Sequence, residues 1–175
     1  MRKVLEEFVK AVLYAFPLLE EMDEEYQAHI RNKAVLSYKS QMPTEELAEY
    51  IVKEIIEKQR MQWLRKTIGD VLDRLNDLEK TLIAVRYFGK KRKWKDCSQI
   101  AVFDGWSESK YFRAQQRLGE KVAVMVKNAG VTQVLFERWF LPSELFTCIH
   151  KYLMRVEQKG LKREKSWLAQ KSSCS

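Results

Sequence analysis

Six polar side chains fall within thirteen residues of this chain: Ser109, Lys110, Arg113, Gln116, Arg117 and Lys121. Residues three and four apart share one face of a helix, so these six project together while Tyr111, Leu118 and Val122 point the other way. The chemistry such a face offers is recognition. A guanidinium fork matches the two acceptors on the edge of guanine, an amide matches adenine, and Lys or Ser holds phosphate. Just upstream, Ser107 is a natural helix cap, and Gly105 can take the positive φ that ends one helix and turns the chain into the next. Ile100 is expected on the core face of a first short helix, and Ala101 is small enough to let the second helix cross close to it. The series short helix, turn, basic helix predicts a helix-turn-helix that docks on duplex DNA, with Ser107 at the entry to the reading helix.

The elements that must position this face are also written in the chain. Asn76 followed by Glu79 predicts a capped start, and Leu78, Leu82, Ile83 and Val85 supply the apolar side of a support helix. Between that helix and the motif runs Gly89-Lys-Lys-Arg-Lys-Trp-Lys95, five cations around one Trp. Beside a DNA-reading helix, Lys91, Arg92, Lys93 and Lys95 are expected to contact phosphate.

Leu78-Glu-Lys-Thr-Leu-Ile-Ala-Val-Arg-Tyr-Phe88, Trp94, Gln99-Ile-Ala101, Ser107, the run Tyr111-Phe-Arg113 and Leu118 together resemble region 4 of the sigma-70 class of RNA polymerase sigma factors. They resemble more closely the sigma-region-4-like regulators encoded by phages and mobile elements of Gram-positive bacteria, including the ArpU type that controls late phage genes. The resemblance covers residues 68–127. It implies that the helix beginning near Ser107 enters the major groove and that Lys95 lies near flanking phosphates. Asp104 and Ala114 depart from the pattern, which usually has an apolar residue before the Gly and a branched one in the second helix. No promoter-melting region 2 is visible in the first 75 residues, so a regulator built on a sigma-like module is implied rather than a complete sigma factor.

Charge follows the same division. The net charge is +8, yet residues 1–60 carry nine Lys or Arg against twelve Asp or Glu, while residues 61–127 carry fifteen against eight. Positive potential is concentrated where the motif is, which suggests one partner-facing unit and one DNA-facing unit. The expected organisation is an N-terminal helical region over 1–67, the DNA-binding unit over 68–127, and a helical extension with a basic tail over 128–175.

Apolar spacing predicts an all-α fold. Val4, Leu5, Phe8, Val9, Val12, Leu13 and Phe16 form a first stripe, broken at Pro17. A second helix to about Lys39 offers Leu18, Leu19, Met22, Tyr26, Ile30, Ala34 and Val35. With Thr44 as cap, a third reaches Leu75 through Leu47, Ile51, Ile55, Leu64, Ile68, Val71 and Leu72, interrupted only by Gly69. After a helix end at Asn128-Ala-Gly130 come Val131, Val134, Leu135, Trp139 and Phe140, and Ser143 starts a last helix bearing Leu145, Phe146, Ile149, Tyr152, Leu153 and Val156. These aromatics either pack back on the domain or form a contact with a second copy of the chain or with RNA polymerase.

Other chemistry finds no footing. The two histidines, His29 and His150, are far apart, and Cys97, Cys148 and Cys174 form no disulfide framework, so neither a metal site nor a cofactor is expected. Asp70, Asp73 and Asp77 share a helical face that solvated acids explain. No catalytic constellation can be assembled, so the chain is not expected to be an enzyme. Without a signal peptide or a spanning stretch, the cytoplasm is the expected compartment. Two functions remain open: a sequence-specific regulator binding double-stranded DNA, and a helical adaptor or sigma-factor antagonist whose basic face meets an acidic protein.

Overall fold

The computed structural model describes residues 6–39, 43–89 and 94–155, which are helical in the main with no strand among them. The all-α expectation therefore holds. Helix α1, Glu7–Ala15, buries Phe8, Val9, Val12 and Leu13 as its spacing predicts, together with Ala11 and Ala15. Pro17 lies in a 3₁₀ turn, Phe16–Leu18, where its missing N–H does no harm.

Helices α2, Leu19–Lys39, and α3, Thr44–Asp73, form an antiparallel pair. Their contacts step in opposite directions along the two helices: Arg65 donates to Glu20 at 2.8 Å, Gln62 to Asp23 at 2.7 Å and Tyr26 to Glu57 at 3.4 Å, and Lys33 lies 5.0 Å above the Tyr50 ring. Here the apolar stripes overstate burial. Of the expected α2 stripe Leu19 is buried; Met22, Tyr26 and Ile30 are half-buried, and Ala34 and Val35 are exposed, as is Leu18 just before the helix. On α3, Leu64, Ile68, Val71 and Leu72 are buried, as is Leu75 beyond its end, whereas Leu47 and Ile51 are half-buried and Ile55 is exposed. The reason is geometric: away from the body each helix of the pair has one neighbour and is covered on one side. Thr44 is the first helical residue and Pro43 holds the cap position, so the expected Thr44 side-chain cap is not made. The helix runs unbroken through Gly69, and also through the 67/68 boundary expected from the sequence.

The inner half of α3 joins one apolar core with α1 and with the helical segments at 77–83, 108–128, 133–139 and 144–155. Helix α4, Asp77–Ile83, opens with a reciprocal cap: the Asn76 side chain accepts from the Glu79 N–H at 2.9 Å, and the Glu79 carboxylate accepts from the Asn76 N–H at 3.1 Å. Leu82 and Ile83 are buried and Val85 half-buried, but Leu78, one turn earlier, is exposed. The helix then widens into a π-helical turn, Ala84–Phe88. Against that turn α1 lays its rings, Tyr14 edge-on to Tyr87 at 5.1 Å and Phe16 stacked on Phe88 at 5.6 Å. Glu6 pairs with Lys127, and Glu7 approaches the imidazole of His150 to 3.3 Å.

Helix α6, Glu108–Asn128, ends as expected, with Gly130 at φ 95°. Thr132 caps α7, Gln133–Trp139, by accepting from the Leu135 N–H at 3.3 Å, and a last helical run, α8, covers residues 144–155. The aromatics here pack back on the domain. Phe136, Phe140 and Phe146 are buried, with Phe146 5.2 Å from Phe136 and 5.7 Å from Phe140, and Trp63 of α3 closes over Phe140. Leu145 and Ile149 are half-buried, Leu153 is buried, and Val134 and Tyr152 are exposed. Val156 and the basic tail lie outside the described residues. Among the described residues no helix is long and apolar enough to cross a membrane.

Because Phe140 is wholly buried among rings, Phe140→Ala is expected to cost about 3–5 kcal/mol of unfolding free energy, read from urea denaturation, whereas Val134→Ala on the exposed side is expected to change it little.

Candidate nucleic-acid interface

The segment leading into α6 folds by short-range rules. Helix α5, Trp94–Cys97, makes a single turn, Ile100 is extended at φ −80° and ψ 124°, and a 3₁₀ turn covers Ala101–Phe103. Gly105 then takes φ 69°, the left-handed region where a side chain would be strained, and Ser107 accepts from the Lys110 N–H at 3.2 Å to start α6. Gly105 and Ser107 thus do what their types predict. Ile100 and Ala101 do not: they lie outside any α-helix, Ile100 is half-buried and Ala101 exposed, and the buried residue is Phe103. The extended Ile100 breaks the helix, and the Phe103 ring takes the core place expected of Ile100.

Tyr111 is the hub of this segment. Its ring meets Trp94 at 5.1 Å and Phe103 at 5.3 Å, and Phe103 meets Trp106 at 5.5 Å, so α5, the 3₁₀ turn and α6 share one aromatic cluster. The Tyr111 hydroxyl accepts from Gln115 at 3.1 Å and from the Cys97 thiol at 3.8 Å. Burial, reinforced by Cys97, pushes the Tyr111 pKa up to about 12. Gln115 also donates to the Leu82 carbonyl at 2.8 Å, which ties α6 to α4. It is the buried polar side chain of the described core, 6% exposed. The sequence carried a signal for it: an amide on the apolar stripe Tyr111, Gln115, Leu118, Val122 needs a buried partner.

The opposite side of α6 carries the expected face. Ser109, Lys110, Arg113, Gln116, Arg117 and Lys121 are all exposed. A shallow groove of about 300 Å³ is lined by Trp106, Ser107, Ser109, Lys110, Arg113, Ala114 and Arg117. Lys110 lies 4.6 Å above the Trp106 ring, an aromatic wall that sequence reasoning did not single out. Among the described residues Arg113 and Arg117 have no acidic partner, so their guanidinium groups face outward uncommitted. Gln116 makes only a long contact, 3.5 Å, to Glu120.

Lys121 differs from its neighbours. Its ammonium donates to both oxygens of Glu79, at 2.8 and 2.9 Å, across 42 positions of sequence, so its charge is already answered by the capping residue of α4. Lys95 is exposed on α5. Lys91, Arg92 and Lys93 lie outside the described residues. Asp73 pairs with Lys80 at 3.7 Å, and no group of three His, Cys, Asp or Glu able to hold a metal ion occurs among the described residues.

Compared with protein-family models, curated proteins and solved structures, the chain matches none of them.

The hydrogen bond from Lys121 is the largest influence holding the Glu79 carboxyl below its ordinary value of 4.5. A lowered folded-state pKa gives stability that is present above 4.5 and lost as pH falls through the lowered value. Lys121→Met is therefore expected to destabilise the protein at neutral pH by up to about 1 kcal/mol, the scale of an exposed pair. The gap between variant and wild type should close in strongly acidic urea titrations; a gap independent of pH would argue against the pair.

Proposed function

We propose that this chain is a sequence-specific double-stranded DNA-binding regulator of the sigma-region-4-like type. In this reading α5, the turn at Gly105 and α6 act as a helix-turn-helix, with α6 in the major groove. The observation that carries it is the outward face of α6: Arg113 and Arg117, free of acidic partners among the described residues, share a groove with Ser109 and Lys110. Arginine forks uncommitted to carboxylates are available to guanine edges, and a Ser or Lys beside them to phosphate. The resemblance of residues 68–127 to sigma region 4 supports the same assignment and adds phage or mobile-element regulation as its setting. RNA polymerase is a further partner in this proposal, and the cytoplasm its compartment.

The roles divide by chemistry. Arg113, Arg117 and Gln116 read base edges. Ser107, Ser109, Lys110 and Lys95 hold the backbone, and Lys91, Arg92 and Lys93 add phosphate contacts by their charge. Lys121 steadies α6 against α4 and reaches phosphate only by giving up Glu79.

Selection from a random duplex library at about 150 mM salt, where nonspecific phosphate binding is already weakened, tests this. One enriched motif is expected. Arg113→Ala should cost about 1–3 kcal/mol at one base pair of that motif, while Lys95→Ala should weaken all sequences alike and flatten the salt dependence. Folded protein that enriches nothing would overturn the reading in favour of a protein-binding adaptor.

A further inference from the structure

The arm made by α2 and the outer half of α3 has a thin interior. Of the side chains the structure describes between Leu19 and Met61, which leave out those of residues 36–42, none is buried. Its seam is closed by polar contacts such as Asp23 with Gln62 and Tyr26 with Glu57. Stable helical bundles add an apolar layer to such a pair. The outward side of α3 has the residues for one. Val52 is 54% exposed and Ile56 41%, and both lie in a groove of about 330 Å³ with Glu49, Lys53, Glu57 and Arg60.

The order of charges in that groove identifies its occupant. Along α3 it runs acid, apolar, base, apolar, acid, base, and reversing the helix brings each charge opposite its counter-charge. With a two-fold axis crossing α3 between residues 54 and 55, Glu49 faces Arg60, Lys53 faces Glu57 and Val52 faces Ile56, to within one residue of register. Each pair then occurs twice, as an isologous contact requires. An unrelated partner would have no reason to be matched by a self-complementary series. We propose that a second copy of this chain docks on this face, α3 against α3 antiparallel, so that two arms close into a four-helix bundle.

Sedimentation equilibrium of the full chain at micromolar concentration, without DNA, should give twice the 20.8 kDa chain mass. Ile56→Asp should return it to the monomer mass with helix content by circular dichroism unchanged. Lys53→Glu and Glu57→Lys, each alone, bring like charges together at both ends of the contact and should weaken dimerisation by about tenfold or more. Mixed one to one they should restore it, because each chain then supplies one sign; loss in each variant alone followed by that rescue requires Lys53 to meet Glu57 across the contact and does not follow from the folding of either variant. A wild-type chain that stays monomeric, a dimer indifferent to all three substitutions, or single-charge variants that mixing does not rescue would overturn the proposal. Base reading by a single copy does not depend on these outcomes and is read separately by the duplex selection.

Discussion

One buried amide governs where α6 stands. Gln115 reaches from the apolar side of α6 to the Leu82 carbonyl of α4 and to the Tyr111 hydroxyl, and a buried amide left unpaired would cost far more than one such bond gives. The two helices are thus held at one rotation, since turning α6 about its axis would break the bond to Leu82, while the bond to Tyr111, within α6 itself, holds the amide in the orientation that reaches it. The outward residues inherit that constraint. Arg113 and Arg117 leave α6 on the side opposite Gln115, which lies between them in sequence, so the bond that sets the helix's rotation also sets the direction in which they depart.

Around this link the molecule divides labour unevenly. Aromatic packing supplies the bulk: Trp94, Phe103 and Tyr111 on one side, Phe136, Phe140 and Phe146 on the other, with α1 joining the second group through Phe8, 6.0 Å from Phe136, and the π-helical turn through Tyr14. Polar bonds supply orientation. The N-terminal helix is therefore no separate module: it covers the π-helical turn that follows α4. What extends away from this core is the α2–α3 arm, where acidic residues gather.

The features legible in the sequence are those whose cause lies within a few residues. Asn76 with Glu79, Ser107 with Lys110, Gly105 and Gly130 act over one turn, and each was readable. The outward orientation of Ser109 through Lys121 followed from helical spacing alone. What spacing could not convey is which neighbours arrive from elsewhere. Apolar stripes on α2 and on the outer half of α3 predicted burial, yet covering them depends on other elements coming near. Phe103 displaced Ile100 as the core residue because Ile100 is extended, a conformation its type does not dictate. The grip of Glu79 on Lys121 spans most of the central segment, and nothing near Lys121 announced it.

The unbroken course of α3 has a metric consequence. At about 1.5 Å per residue the helix is a rod of roughly 45 Å, and the stretch from the groove's midpoint to Ile68, in the core beside α6, takes up about 20 Å of it. In the paired arrangement the two cores lie at opposite ends, on the order of 40 Å apart. That is close to the roughly 34–36 Å at which successive major grooves recur on one side of B-form DNA. Under the proposed DNA reading, a continuous helix would serve as a ruler, converting the number of residues between arm and core into the spacing of base sequences that two copies can span.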